Sequence, residues 1–242
     1  MMSPRSPKAA MVFAAGLGLR MRPLTETLPK PLVRVAGKAL IDHCLDRLVE
    51  AGVERAVVNV HYLADQIEAH LKGRRSPEII ISDERETLLD QGGGVKRALP
   101  RLGDAPFFIC NTDAFWLEGP RSNLARLAAD WDSEQMDISL LVAPTVSAVG
   151  VDWPGDFSMS SDGWLARRRE REVAPYVYAG VGVIKPELFA HARAEVFRLA
   201  PLFFEAAEKR RLSGVRLDGI WIHVGQPETI ADAERAIDRS TL

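Results

Sequence analysis

The chain has 242 residues, 47% hydrophobic and 26% charged, ordinary proportions for a globular protein with room for one large core. A formal net charge of −2 excludes the basic balance that would point to nucleic acid or an anionic membrane, and no apolar run reaches the ~18 residues of a spanning helix. Cys44 and Cys110 make neither a disulfide framework nor a metal-knuckle spacing, so both read as separate reduced core residues of a cytoplasmic protein.

Residues 1–7 read as a disordered leader. Arg5 and Lys8 before an apolar stretch imitate a secretory signal, but two glycines interrupt that stretch and Arg20 and Arg22 follow at once. Residues 9–14 (AAMVFA) read as a short buried strand. Residues 37–52 (GKALIDHCLDRLVEAG) form the clearest helix, with Leu40, Ile41, Cys44, Leu45, Leu48 and Val49 at helical spacing and Gly52 closing the end. Residues 55–60 (RAVVNV) form a near-continuous apolar run, expected of a parallel strand covered on both faces. A helix over 63–71, a strand over 78–82, a helix over 94–102 and a strand over 106–111 complete a strand–helix alternation.

Beyond these, residues 123–131 read as a helix and 136–143 as a strand. Residues 148–178 are polar and turn-rich, and are expected to be an inserted lobe of short antiparallel strands. A strand over 177–184, a helix over 201–211, a strand over 221–224 and a helix over 227–237 close the chain. The fold class is therefore α/β: a Rossmann-like, open, mostly parallel sheet with helices on both faces, spanning residues 8–242 as a single domain with the small lobe inserted. No internal repeat is present.

The stretch FAAGLGLRMRPLTETLPKP, residues 13–31, carries the chemistry. An apolar strand ends in two glycines, two arginines follow, and Lys30 stands between Pro29 and Pro31. In open α/β sheets ligands bind at the carboxyl ends of the strands, and backbone N–H groups of a glycine turn cradle phosphate oxygens. The third glycine of a dinucleotide fingerprint is missing, and no Gly-Lys-Ser/Thr is present, so neither that motif nor a P-loop applies. Prolines on both sides restrict the backbone and present Lys30, a compact point charge suited to phosphate, in a fixed place. Asp113, after the strand over 106–111, reads either as a helix N-cap or as a carboxylate for a cation. The run over 167–171 (RRRER) reads as an exposed charged turn.

These residues resemble the signature of the sugar-1-phosphate nucleotidyltransferases: a small-residue glycine loop, Arg, Met or Leu, x, Pro, then Pro-Lys-Pro. The resemblance continues through Leu89-Asp90-Gln91-Gly92-Gly93-Gly94, Asn111-Thr112-Asp113, Gly180-Val181-Gly182-Val183 and Trp221-Ile222-His223-Val224-Gly225. The short chain, the triple glycine and Phe197-Arg198-Leu199-Ala200-Pro201-Leu202 are most similar to the N-acetylmuramate-1-phosphate uridylyltransferases of cell-wall sugar recycling. The resemblance implies a glycosyltransferase-A-like fold. It implies that Ala14, Ala15, Gly16 and Gly18 wrap a nucleotide, that Arg20 holds its β- and γ-phosphates, and that Lys30 reaches the α-phosphate and the sugar phosphate. Gln91, Gly92 and Gly93 would approach the base, Asp113 would hold Mg²⁺ or Mn²⁺, and Asp156 and Gly180 would lie on the sugar side. The family carries an aspartate as second metal ligand where this chain has His223, so the resemblance leaves three readings there: His223 binds a softer metal, contacts a metal-bound water or phosphate, or leaves the site impaired.

The activity implied is attack by a sugar-1-phosphate on the α-phosphorus of a nucleoside triphosphate, with UTP and N-acetylmuramate-1-phosphate as substrates, in a monomer or small homo-oligomer. Two other readings stay open: a thymidylyl- or guanylyltransferase acting on another sugar, and a nucleotide-binding paralogue with little catalysis.

Overall fold

The computed structural model describes residues 6–190, 192 and 195–240. Strands β1 (Ala9–Phe13), β4 (Arg55–Val60), β5 (Glu78–Asp83) and β6 (Phe107–Asn111) lie parallel in the order β6-β1-β4-β5. Their connections run through α1 (Leu40–Glu50), α2 (Ala64–Leu71) and α3 (Asp90–Leu102). A hairpin of β2 (Arg34–Val35) and β3 (Lys38–Ala39) precedes α1, turning through Ala36 and Gly37 at positive φ. That turn starts the helix at Leu40, where the hydrophobic periodicity begins and later than the expected start at 37.

The pleat explains the two-sided sheet. Ala10 and Val12 face one side and pack with Leu45, Leu48 and Ile67 from α1 and α2. Ala9 and Met11 face the other and pack with Val95, Ala98 and Leu102 of α3. Every one of these side chains is buried, which is why the strands read as continuous apolar runs.

The second half widens the sheet on the β6 side. After β7 (Ala114–Glu118) and α4 (Asn123–Asp130), β8 (Ile138–Pro144) begins an antiparallel extension. The lobe strands β9 (Phe157–Met159) and β10 (Leu165–Arg167) pair with each other, and β9 touches β11 (Tyr176–Ile184), so the expected lobe is an annex of one nine-stranded sheet. β11 runs antiparallel between β6 and β8. After α5 (Ala200–Glu208), β12 (Leu212–Arg216) adds to β8 in parallel, and β13 (Gly219–His223) pairs with β7 in a separate two-stranded sheet before α6 (Glu228–Ser240).

Residues 1–5 of the expected leader lie outside the described residues. Ser6 and Pro7 already belong to the fold: Ser6 Oγ donates to the Ala51 carbonyl at 3.0 Å, and Pro7 is buried. Cys44 of α1 and Cys110 of β6, expected as separate core residues, are in contact across the helix–sheet interface. The charged run over 167–171 behaves as the exposed turn expected of it. The Arg168 guanidinium donates to the carbonyls of Gly155, Arg169 and Glu172, and Arg167 stacks over the Phe204 ring.

Candidate active site

The chain leaves β1 toward β4 on one side and returns as β6 on the other, so the crevice between the carboxyl ends of β1 and β6 is the topological switch point. A cavity of about 470 Å³ opens there. It is lined by Ala14, Ala15 and Gly16 after β1, by Lys30 and Pro31, by Gln91 at the start of α3, and by Asn111, Thr112 and Asp113 after β6. A Cβ on Gly16 would meet nothing within 4 Å, so this backbone faces open space that a ligand can enter closely. Gly18 serves a different purpose. It sits at φ +64°, and a Cβ there would fall 3.1 Å from Lys30 Cβ and Thr25 Cγ2, so the missing side chain lets the loop pack down beside Lys30. Thr25 Oγ1 donates to the Gly18 carbonyl at 2.7 Å and fixes that turn.

The two prolines act as expected. Pro29 is extended and Pro31 occupies the first turn of a 3₁₀ segment over Lys30–Leu32, closed by Leu32 N–H on the Pro29 carbonyl. Lys30 Nζ is thereby aimed at Asp113 Oδ2, 2.9 Å away. The pairing of β13 with β7 sets His223 opposite Ala114, and Val224 N–H donates to the Asp113 carbonyl. His223 Nε2 then lies 3.7 Å from the same Asp113 oxygen, while its Nδ1 faces the Gly150 carbonyl at 3.3 Å. Trp221 stacks on the imidazole and Trp153 meets it edge-on, so the ring is held. Burial pushes the Asp113 carboxyl up. The contact with His223 and the Lys30 ammonium more than offset this and hold it well below the usual carboxylate range.

Other predicted residues fall differently. Arg20 is exposed and lines a separate, smaller cavity of about 300 Å³ with Gly150, His223, Gln226 and Thr229, which Lys30 does not line. Gln91 donates from Nε2 to Asn111 Oδ1 at 2.9 Å, leaving its Oε1 as an acceptor toward the cavity. Asp90 adopts φ +59°, and its side chain accepts from Gln91 N–H, which sets that presentation.

Gly92 and Gly93 do not line the cavity. A Cβ at Gly92 would fall 2.4 Å from the Phe197 ring, and one at Gly93 would fall 2.0 Å from the Glu195 carbonyl. Their close approach is to residues 195–197 of the chain itself, and both donate N–H to the Phe197 carbonyl. Asp156 and Gly180 also stand outside the cavity. Asp156 accepts from Tyr178 N–H, and burial pushes its carboxyl up. Gly180 sits at φ +83°, and a Cβ there would fall 3.2 Å from Asn111 Cβ.

Sequence reasoning missed Asn59, Glu84 and Val196, all on the cavity wall. A signal existed for the first: asparagine in RAVVNV is the only polar residue after the leading arginine of that strand.

For a divalent cation, no group of three or more His, Cys, Asp or Glu side chains lies together among the described residues. Of the carboxylates on the cavity wall, Glu84 is buried and Asp90 accepts from Gln91 N–H, which leaves Asp113, whose side chain is 30% exposed. That donor set fits Mg²⁺, which takes few protein carboxylates and completes its shell with phosphate and water oxygens. It does not fit a closed structural zinc site.

The family model of the MobA-like NTP transferase domain matches residues 10–150. The chain is 50% identical over 234 residues to the N-acetylmuramate alpha-1-phosphate uridylyltransferase of Caulobacter vibrioides, covering 95% of this chain and 97% of that protein. It is 36% identical over 228 residues to the enzyme of the same name from Neisseria meningitidis serogroup B, covering 93% and 96%. Among solved structures it superposes on the inositol-1-phosphate CTP transferase of T. maritima with a TM-score of 0.74, 17% identity, and coverage of 96% and 97%. That last likeness is one of fold.

Proposed function

This chain belongs to the MobA-like NTP transferases, in the family of the N-acetylmuramate alpha-1-phosphate uridylyltransferases, and from that premise we propose that it transfers the uridylyl group of UTP to N-acetylmuramate-1-phosphate. The observation that carries the assignment of roles is the meeting of Lys30 and Asp113 at 2.9 Å beside the open backbone of Gly16. A phosphate oxygen of the sugar-1-phosphate attacks the α-phosphorus, a new P–O–P linkage forms, and the bond to the β-phosphate breaks to release pyrophosphate. Two polyanions must approach each other, so positioning and charge neutralisation are the main tasks.

Lys30 stands between the two anions and neutralises the α-phosphate. The N–H groups after β1 approach the triphosphate at Gly16, and Gln91 offers its amide to the uracil edge. Arg20, in the adjoining cavity, takes the departing pyrophosphate. Asp113 would hold Mg²⁺, which supplies charge neutralisation on phosphate oxygens when bound. His223, whose Nε2 lies 3.7 Å from the same Asp113 oxygen as Lys30, orients that carboxylate. The reaction, drawing on UTP and a sugar phosphate, belongs in the cytoplasm, within cell-wall sugar recycling. Consistent with that, no helix among the described residues is long and apolar enough to cross a membrane.

The test is pyrophosphate release measured across four nucleoside triphosphates and a panel of sugar-1-phosphates that includes N-acetylmuramate-1-phosphate. The proposal expects the pair UTP and N-acetylmuramate-1-phosphate to lead. A guanylyl or thymidylyl preference would replace the substrate assignment, and nucleotide binding without release would replace the enzyme by a binding paralogue.

A further inference from the structure

Two polar side chains at the bottom of the cavity have no part in that mechanism. Asn59 lies in β4 and is 3% exposed, and Glu84 follows β5 and is 1% exposed. Burying a carboxylate so completely is costly unless its oxygens are satisfied. Here both are. Asn59 Nδ2 donates to Glu84 Oε1 at 2.9 Å, and Leu89 N–H donates to Glu84 Oε2 at 3.2 Å. On its other side Asn59 Oδ1 accepts from Ala14 N–H at 2.8 Å. A continuous chain of hydrogen bonds therefore runs from the loop after β1, across β4, to the loop before α3. His61 Nδ1 lies 2.6 Å from the Glu84 carbonyl and anchors its far end. Gly94 is fitted to the pair: a Cβ there would fall 2.8 Å from Glu84 Oε1 and 3.0 Å from Asn59 Nδ2.

We infer that Asn59 and Glu84 are positioning residues that hold the loop at 14–18 and the loop at 88–91 at one spacing, and that this spacing selects the nucleotide. The inference rests on the proposed function, in which the first loop meets the triphosphate and the second presents Gln91 to the base. A pocket whose two walls are tied together admits one width of base. Loosening the tie weakens the preferred nucleotide and relaxes the exclusion of larger ones.

The polarity of the chain permits a reciprocal test. In Glu84→Gln, the single remaining side-chain acceptor must serve both Asn59 Nδ2 and Leu89 N–H. In Asn59→Asp, two carboxylates face each other. In the double variant, Asp at 59 accepts from Ala14 N–H and from the new amide, whose oxygen accepts from Leu89 N–H. Every contact is restored at unchanged net charge.

With steady-state kinetics on UTP and GTP, each single variant is expected to raise KM for UTP about tenfold or more, change kcat less than about threefold, and narrow the UTP-to-GTP ratio of kcat/KM about tenfold. KM for the sugar phosphate stays at the parent value, and the double variant recovers both KM and the ratio. A folded Glu84→Gln variant with the parent KM and ratio overturns the inference. So does an equal loss on all nucleotides accompanied by a lowered Tm, which is the mark of a purely structural role. Where a single variant does not fold, the double variant decides, since it must fold and recover the ratio; failure of either overturns the relay. A parent that turns over no triphosphate overturns the proposed function instead, and is distinguished by that control.

Discussion

Lys30 and Asp113 stand 83 residues apart in the chain and meet at 2.9 Å, Nζ to Oδ2, at the mouth of the crevice between β1 and β6. Neither side chain is needed to hold the sheet together. Each is delivered by its own device: Lys30 by the proline-flanked turn, Asp113 by the end of β6 and the β7–β13 pairing. The pair keeps a cation and an anion preorganised at the place where the proposed reaction would meet phosphate charge.

Replacing Lys30 by alanine is therefore expected to lower kcat/KM roughly 10²-fold or more, the scale for losing a preorganised charge-stabilising group. Arg20→Ala should lose a similar factor, from its separate cavity beside His223. Thermal unfolding of Arg20→Ala should match the parent, since Arg20 is exposed, whereas Lys30→Ala should lower Tm at neutral pH, since Lys30 helps keep Asp113 ionised. Parent-like turnover in a folded Lys30→Ala variant would remove the central role assigned to this lysine.

The base preference follows from the amide of Gln91. With Nε2 committed to Asn111, its Oε1 remains to accept from the N3–H of uracil. UTP is expected to exceed ATP and GTP in kcat/KM, read as pyrophosphate release at matched concentrations. Gln91→Ala should narrow that margin. GTP equal to or better than UTP in the parent would refute the assignment.

A cation held by one carboxylate predicts a particular pattern of metal dependence. Asp113→Ala is expected to abolish Mg²⁺-dependent turnover, and His223→Ala to reduce it more mildly. His223→Asp adds a hard oxygen on the side of Asp113 that the imidazole now faces and should lower the Mg²⁺ concentration giving half-maximal rate. Rates titrated against Mg²⁺ and Mn²⁺ for the three variants test this, and a parent indifferent to chelation contradicts it.

Stability should depend on acid through Asp137. It joins the ends of three strands: Lys185 after β11 donates to its Oδ1 at 3.1 Å, and Arg211 before β12 donates to its Oδ2 at 2.7 Å. Burial pushes this carboxyl up, but those two cations hold it below the usual carboxylate range. The folded pKa lies below the unfolded one, so the unfolded chain binds more protons in acid. The stabilisation is present above the unfolded value of about 4 and is lost as pH falls through the folded value. The Tm of Asp137→Asn should fall below the parent at pH 7, and the gap should close toward pH 3. A gap independent of pH would show that lost geometry, not charge, is responsible.

The sequence by itself determined the strand–helix alternation, the bounds of β4 to the residue, and the phosphate-side loop with its proline-flanked lysine. These are local properties. A doubly covered strand must be apolar throughout, an amphipathic helix must repeat every 3.6 residues, and proline acts on its own neighbours. The family resemblance drew on the same short motifs. β12 escaped because LSGVR mixes polar and apolar residues, and β7 because AFWLE begins only three residues after the strand over 106–111 ends; pairing with β8 and β13 makes them strands. The tertiary structure alone decided what each motif faces. It aimed Lys30 at Asp113, set Arg20 in a different cavity, and turned Gly92 and Gly93 toward residues 195–197 instead of the open pocket. It also buried Asn59 and Glu84 as one hydrogen-bonded pair, where the sequence shows two unrelated polar residues 25 positions apart. Contacts between distant segments depend on the register and packing of the whole sheet, and no local pattern encodes them.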